Sequence, residues 1–100
     1  MSEKQYIEVA LYTVKGEEAK FLSVSDDANA VYRQLEGFVR RELLKSDDGK
    51  WVDLVYWQNR ELAKKAEDVL YHDATIAEVM GLIDTETMVF THVEPFRQYS

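Results

Sequence analysis

The chain contains no cysteine, which excludes disulfides, thiolate nucleophiles and cysteine-ligated metal centres. Its four glycines are scattered, so no glycine-rich loop is available to cradle a phosphate. The two histidines, His72 and His92, stand far apart, and neither a histidine-rich metal pattern nor a Ser-His-Asp spacing is present. No apolar run approaches the roughly 20 residues of a membrane span, and the opening MSEKQYIEV lacks the apolar stretch of a secretory signal. The expectation is a cytoplasmic protein with no membrane partner. Positive charge is also in deficit: 12 Lys and Arg against 19 Asp and Glu leave a net charge of −7. That balance argues against a nucleic-acid partner, whose phosphates demand basic side chains.

What is present fits one soluble domain over residues 1–100, with 46% apolar and 31% charged residues. Gln5–Val14 alternates Ile7, Val9 and Leu11 against Tyr6, Glu8, Ala10 and Tyr12, which predicts a strand ended by Lys15-Gly16. From Glu17 the period changes. Phe21, Val24, Ala28, Val31 and Leu35 are spaced 3, 4, 3, 4, placing them on one stripe of a helix. Ser25-Asp26-Asp27 marks a site for a kink, and Gly37 the expected C-terminal cap. Phe38–Leu44 reads as a second strand. Ser46-Asp47-Asp48-Gly49 has turn composition, and Lys50–Trp57 (KWVDLVYW) returns antiparallel to it. Asn59 is placed to cap a second amphipathic helix carrying Leu62, Ala63, Ala66, Val69 and Leu70. A short helical piece with Ile76, Val79, Met80 and Ile83 follows. Thr87–Val93 is the last strand, terminated by Pro95.

This order is β-α-β-β-α-β, an α+β, ferredoxin-like arrangement: a four-stranded antiparallel sheet with helices on one face. Helices cover only one face of such a sheet. By parity one face is purely apolar (Ile7, Val9, Leu11, Val52, Leu54, Tyr56, Val89, Val93), an assignment that a single bulge would flip. The other is mixed: Tyr6, Glu8, Ala10, Tyr12, Arg40, Glu42, Trp51, Asp53, Val55, Trp57, Met88, Phe90 and His92. Left in water, the mixed face would expose more aromatic surface than monomers carry. Withdrawing each aromatic from water is worth roughly 1.5–3 kcal/mol, so a homodimer with sheet facing sheet is expected.

The stretch Glu36–Ala66, EGFVRRELLKSDDGKWVDLVYWQNRELAKKA, resembles the antibiotic biosynthesis monooxygenase (ABM) superfamily. The matching features are a Gly-Phe opening of the second strand, a charged hairpin, and a Trp closing the third strand before an Ala-rich helix. The resemblance implies a homodimeric α+β barrel with a pocket between sheet and helices in each subunit. It implies one of three activities: cofactor-independent oxygenation of electron-rich quinol-type aromatics, haem degradation, or none assigned. It also places Trp57 on the pocket wall. The haem-degrading members pair that Trp with a first-strand Asn, and YIEVALYTV has none. Their ligand His lies on the second helix, whereas His72 falls at or beyond its end. Both departures argue against haem, and no cofactor is expected.

An oxygenase without cofactor must bind an electron-rich aromatic, remove its proton and keep water from the resulting anion. Trp57, Trp51, Tyr12 and Phe90 are candidates to sandwich a planar ring by offset stacking. His92 and Asp53 are candidates for the proton acceptor, and Arg40 for stabilising the oxyanion. The plainer reading makes the aromatics core and interface, and Arg40, Glu42 and Asp53 cross-strand ion pairs. On that reading the chain is a non-enzymatic, dimeric ligand-binding or stress-associated module.

Overall fold

The computed structural model describes residues 4–100. Its elements are β1 (Tyr6–Tyr12), α1 (Glu18–Tyr32), β2 (Phe38–Lys45), β3 (Trp51–Trp57), α2 (Arg60–Tyr71), α3 (Ala74–Gly81) and β4 (Val89–Val93). The strands form one antiparallel sheet in the order β2-β3-β1-β4. This is the α+β ferredoxin-like topology with one extra short helix, α3. The β2–β3 hairpin closes at Gly49, whose φ of +86° is a conformation that glycine reaches without steric cost. Asn59 caps α2 by accepting from the Leu62 N–H at 2.9 Å. Asp73 caps α3 by accepting from the Thr75 and Ile76 N–H groups.

α1 runs unbroken through Ser25-Asp26-Asp27. No kink forms there because Ser25 is buried and holds the β2 residue Arg41: its carbonyl and hydroxyl oxygens accept from the guanidinium at 3.1 and 2.8 Å. The helix ends at Tyr32, earlier than the periodicity predicts. The bonds Gln34 N–H to Val31 O and Leu35 N–H to Tyr32 O tighten the chain into turns before Gly37. α3 is tied to the end of β1 by Lys15 N–H to Leu82 O at 2.8 Å and Asp84 N–H to Thr13 O at 2.9 Å. That tether holds α3 above the sheet.

The helices cover the face opposite to the one parity suggests. Tyr12, Trp51, Phe21, Val24, Ala28, Val79 and Ile83 form one core cluster; Tyr6, Val55, Trp57, Ala63 and Ala66 form the other. The mixed face is therefore inside. Its aromatics have the length to bridge sheet and helices, and its charges pair with one another. Ile7, Val9, Leu11, Val52, Leu54 and Tyr56 lie on the outer face, half-buried, beside exposed Leu44, Val89 and Val93. A second correction concerns β2. The register slips between Phe38 and Arg40, a β-bulge that puts Arg40 opposite Tyr56 and Arg41 opposite Val55. Arg40 and Glu42 consequently point outward. The Arg40 guanidinium lies 3.8 Å over the Tyr56 ring and 3.6 Å from Glu42.

Candidate active site

Between the inner sheet face and the three helices is a cavity of about 530 Å³. Its walls are mostly apolar: Ala10 and Val55 from the sheet, Ala28 from α1, Leu70 from α2, Ile76 and Val79 from α3. Phe90 and Met88 close the side nearest β4. Two polar clusters interrupt this lining.

The first is a closed network on the sheet floor. Arg41 grips Asp53 with two parallel bonds, Nε to Oδ1 and Nη2 to Oδ2, each 2.9 Å. The Tyr12 hydroxyl donates to Asp53 Oδ2 at 3.0 Å. Two further bonds, to the carbonyl and hydroxyl oxygens of Ser25, complete the hold on the guanidinium. The side chains of the pair are 6% and 14% exposed. Burial disfavours the guanidinium charge, yet the Asp53 bonds and charge outweigh it and hold Arg41 above its ordinary pKa. Burial and the Asp53 charge push the Tyr12 phenol upward, and the same two causes push up the Tyr32 phenol on α1. Both phenols are therefore neutral donors at any physiological pH.

The second cluster joins β1, β4 and α2. Glu8 sits directly opposite His92 across the β1–β4 ladder. Its Oε1 accepts from the Trp57 indole N–H at 2.6 Å. Its Oε2 lies 3.5 Å from His92 Nε2, and Glu67 Oε1 from α2 lies 3.8 Å from the same nitrogen. The His92 ring stacks on Tyr6 at 4.9 Å and meets the Phe90 edge at 4.9 Å. Burial raises the Glu8 carboxyl above its ordinary value; the Trp57 bond and His92 oppose that shift, while Glu67 adds to it. Glu8 is thus a buried carboxylate on the cavity wall that binds a proton more tightly than an exposed one does.

No family model and no curated protein matches the chain. Solved structures do. A point mutant of SnoaB, a cofactor-independent oxygenase from Streptomyces nogalater, superposes with a TM-score of 0.80 at 24% identity over 95% of each chain. A candidate antibiotic biosynthesis monooxygenase from Nitrosomonas europaea gives 0.72 at 14% identity, covering 95% of this chain and 93% of that one. A dimeric ferredoxin-like protein from an uncultured marine organism gives 0.71 at 12% identity, covering 98% and 93%. The chain shares the α+β ferredoxin-like fold of these structures. The sequence resemblance over Glu36–Ala66 therefore extends, as a fold, to nearly the whole chain.

Within this fold the residues singled out from sequence separate into three groups. Asp53, Tyr12 and Phe90 line the cavity. Trp57 and Trp51 do not. Trp57 is fully buried among Tyr32, Phe38, Ala63 and Ala66, and Trp51 packs against Phe21 at 5.2 Å. His92 stands behind Glu8 rather than on the lining. Arg40 is on the wrong face altogether, and the bulge puts Arg41 in the place it was expected to take. Sequence reasoning missed Arg41, Glu8, Glu67 and Tyr32. For Glu8 a signal existed: a carboxylate between Tyr6 and Ala10 on one strand face is unusual unless it is paired. For Arg41 none did, because nothing in FVRRELL marks the bulge.

Proposed function

We propose that the cavity binds a small, planar, electron-rich aromatic of quinol or polyketide-like type, and that the protein oxygenates it without a cofactor. The observation that carries this reading is Glu8. It is a buried carboxylate facing an apolar cavity, with one oxygen fixed by Trp57 and the other beside His92. Glu8 takes the substrate's acidic proton, and His92 holds the proton-bearing carboxyl in a local pair. The substrate anion gives an electron to O2, the two radicals combine to a peroxide anion, and Glu8 returns its proton to give the hydroperoxide. Where the reacting carbon is a CH2, loss of water leaves a carbonyl: one oxygen atom stays in product and the other departs in water. The apolar walls keep bulk water from the anion. Tyr32, a neutral phenol on the lining, is placed to donate to its oxygen. Asp53 is not the base in this scheme, since Arg41 and Tyr12 already occupy its oxygens.

The working unit in this proposal is a homodimer. Its support is the outer face, where Ile7, Val9, Leu11, Val52, Leu54 and Tyr56 form an apolar sheet surface that helices leave uncovered. A non-enzymatic ligand-binding module is the second reading, favoured by the saturation of the Arg41–Asp53–Tyr12 network. Oxygen uptake with an anthrone or hydroquinone distinguishes them. Glu8→Gln keeps an acceptor for the Trp57 N–H and should lower the rate by roughly 10²–10⁴-fold. Binding of the aromatic with no oxygen uptake, or uptake unchanged in Glu8→Gln, would reject the catalytic scheme.

A further inference from the structure

We propose that Glu8, Glu67 and His92 form a binding site for a borderline divalent cation of the zinc type on the cavity wall. Three elements meet there, β1, α2 and β4, each supplying one ligand atom. His92 Nε2 lies 3.5 Å from Glu8 Oε2 and 3.8 Å from Glu67 Oε1, and all three atoms fall within 4.8 Å of one another. Tetrahedral zinc, with ligands about 2.0–2.1 Å away, sets them about 3.3–3.4 Å apart. Two of the three separations are bounded near that spacing already. The third closes by motion of Glu67, whose side chain is 44% exposed and whose Lys64 partner is itself on the surface.

The arrangement is built rather than incidental, for three reasons. First, His92 Nε2 is sealed from solvent, and the oxygens it faces, Glu8 Oε2 at 3.5 Å and Glu67 Oε1 at 3.8 Å, stand farther off than in a well-formed hydrogen bond. A buried imidazole nitrogen set between two carboxylate oxygens at these separations leaves room for an ion bound to all three. Second, the orientation of two ligands is set by groups behind them. The Trp57 indole N–H holds Glu8 Oε1 at 2.6 Å and turns Oε2 toward His92. Tyr6 and Phe90 clamp the imidazole from its face and its edge. Outer groups of this kind orient and tune metal ligands. Third, the charge balance calls for a cation. Two carboxylates flank one imidazole, and among the described residues the one lysine or arginine ion-paired with them is Lys64, 3.5 Å from Glu67 Oε1.

One nitrogen with two carboxylate oxygens suits zinc, manganese or cobalt better than magnesium or calcium, which prefer all-oxygen sets. Three protein ligands leave at least one coordination position for water or a ligand. Glu8 and Glu67 both line the cavity, so the cation would border the space where an aromatic is proposed to bind. A cation on Glu8 also occupies the proposed proton acceptor, which makes zinc an inhibitor of the oxygenase reaction. The cation site itself does not depend on that reaction.

The test is a direct titration of untagged, chelator-treated protein with Co²⁺, read by its visible absorption, followed by displacement with Zn²⁺. The expected result is saturation at one cobalt per chain and full bleaching by one zinc. Glu67→Gln, at a half-exposed position, and His92→Gln should each weaken binding at least about 10-fold, with unchanged circular dichroism. His72→Ala should bind as the parent does. Absence of a saturable spectrum in the parent would overturn the proposal, as would a spectrum that survives both Glu67→Gln and His92→Gln. Because no substrate is involved, this outcome is independent of whether oxygen uptake is found.

Discussion

Asp53→Asn tests whether the carboxylate on the cavity floor is a structural anchor or a free base. The Arg41 side chain is 6% exposed, and its charge is met by two 2.9 Å bonds to Asp53 plus two bonds to the neutral oxygens of Ser25. Asparagine offers one oxygen where the carboxylate offered two, and no charge. The guanidinium is then left buried with no counter-ion. Removing one partner of a buried pair costs about 3–5 kcal/mol. A Coulomb term of about 4 kcal/mol at 4 Å in an effective dielectric near 20 agrees with that range. Tyr12 keeps an acceptor, so the lower end, about 3 kcal/mol, is expected. Urea unfolding at one fixed protein concentration should show the midpoint fall by at least about 1 M with the slope unchanged. Arg41→Met combined with Asp53→Leu removes both charges and should recover most of the loss. A cost below about 1 kcal/mol for Asp53→Asn would refute the reasoning. It would mean that Asp53 does not hold Arg41, and its candidacy as proton acceptor would return.

Three further outcomes follow from the geometry. Gly37 has φ +88°, and an added Cβ there would meet Leu62 Cβ at 2.5 Å, whereas Gly49, at φ +86°, has open space around it. Gly37→Ala should therefore cost about 2–5 kcal/mol and Gly49→Ala about 1–2 kcal/mol in chemical denaturation, with equal costs counting against the packing argument. Glu8 is raised from 4.5 in the folded state, so the folded protein holds this proton longer than the unfolded chain. Its contribution to stability is greatest at low pH and is lost as pH rises from about 4.5 through the raised value. Melting temperatures of Glu8→Gln should accordingly be flatter across that window than those of the parent, and a parallel pair of curves would contradict this. Leu54→Glu, in the middle of the outer sheet face, should convert the proposed dimer into a monomer of 11.7 kDa by sedimentation. A dimer that survives it does not use that face.

The order of elements was legible because local signals carry it: a change of period at Glu17, Asp48-Gly49 at the hairpin, Asn59 before α2. The faces of the sheet were not. Apolarity shows that a face is covered, not by what. The uniformly apolar set on Ile7, Val9 and Leu11 suits a helix-covered face as well as a sheet-covered one, yet the side chains packed under the helices are Tyr6, Tyr12, Trp51 and Trp57. Short aliphatic groups make the flatter surface that a second sheet can meet. The bulge at Phe38–Arg40 then reversed the parity of β2. With it went the choice between two adjacent arginines, so the expected oxyanion partner was one residue away from the arginine that lines the cavity. Leu35 shows a milder form of the same limit. Its spacing continues the helix stripe, and it does pack beside the Trp57 cluster, but from a turn.

Trp57 is where resemblance and geometry meet with different content. The resemblance places this indole on a pocket wall; the structure buries it completely, off the cavity lining. Its effect on the site runs through Glu8. An indole N–H removed from water needs an acceptor, and the register sets Trp57 against Tyr6, one inward position from Glu8. A carboxylate in that position would be costly to bury alone. The Trp57 N–H takes up part of that cost and leaves only one Glu8 oxygen for chemistry, turned toward His92. In the proposed site Trp57 is thus a positioning residue. The same bond that makes a buried carboxylate tolerable also decides which way it faces, so replacing the indole would disturb proton transfer and cation binding alike without any direct contact with substrate.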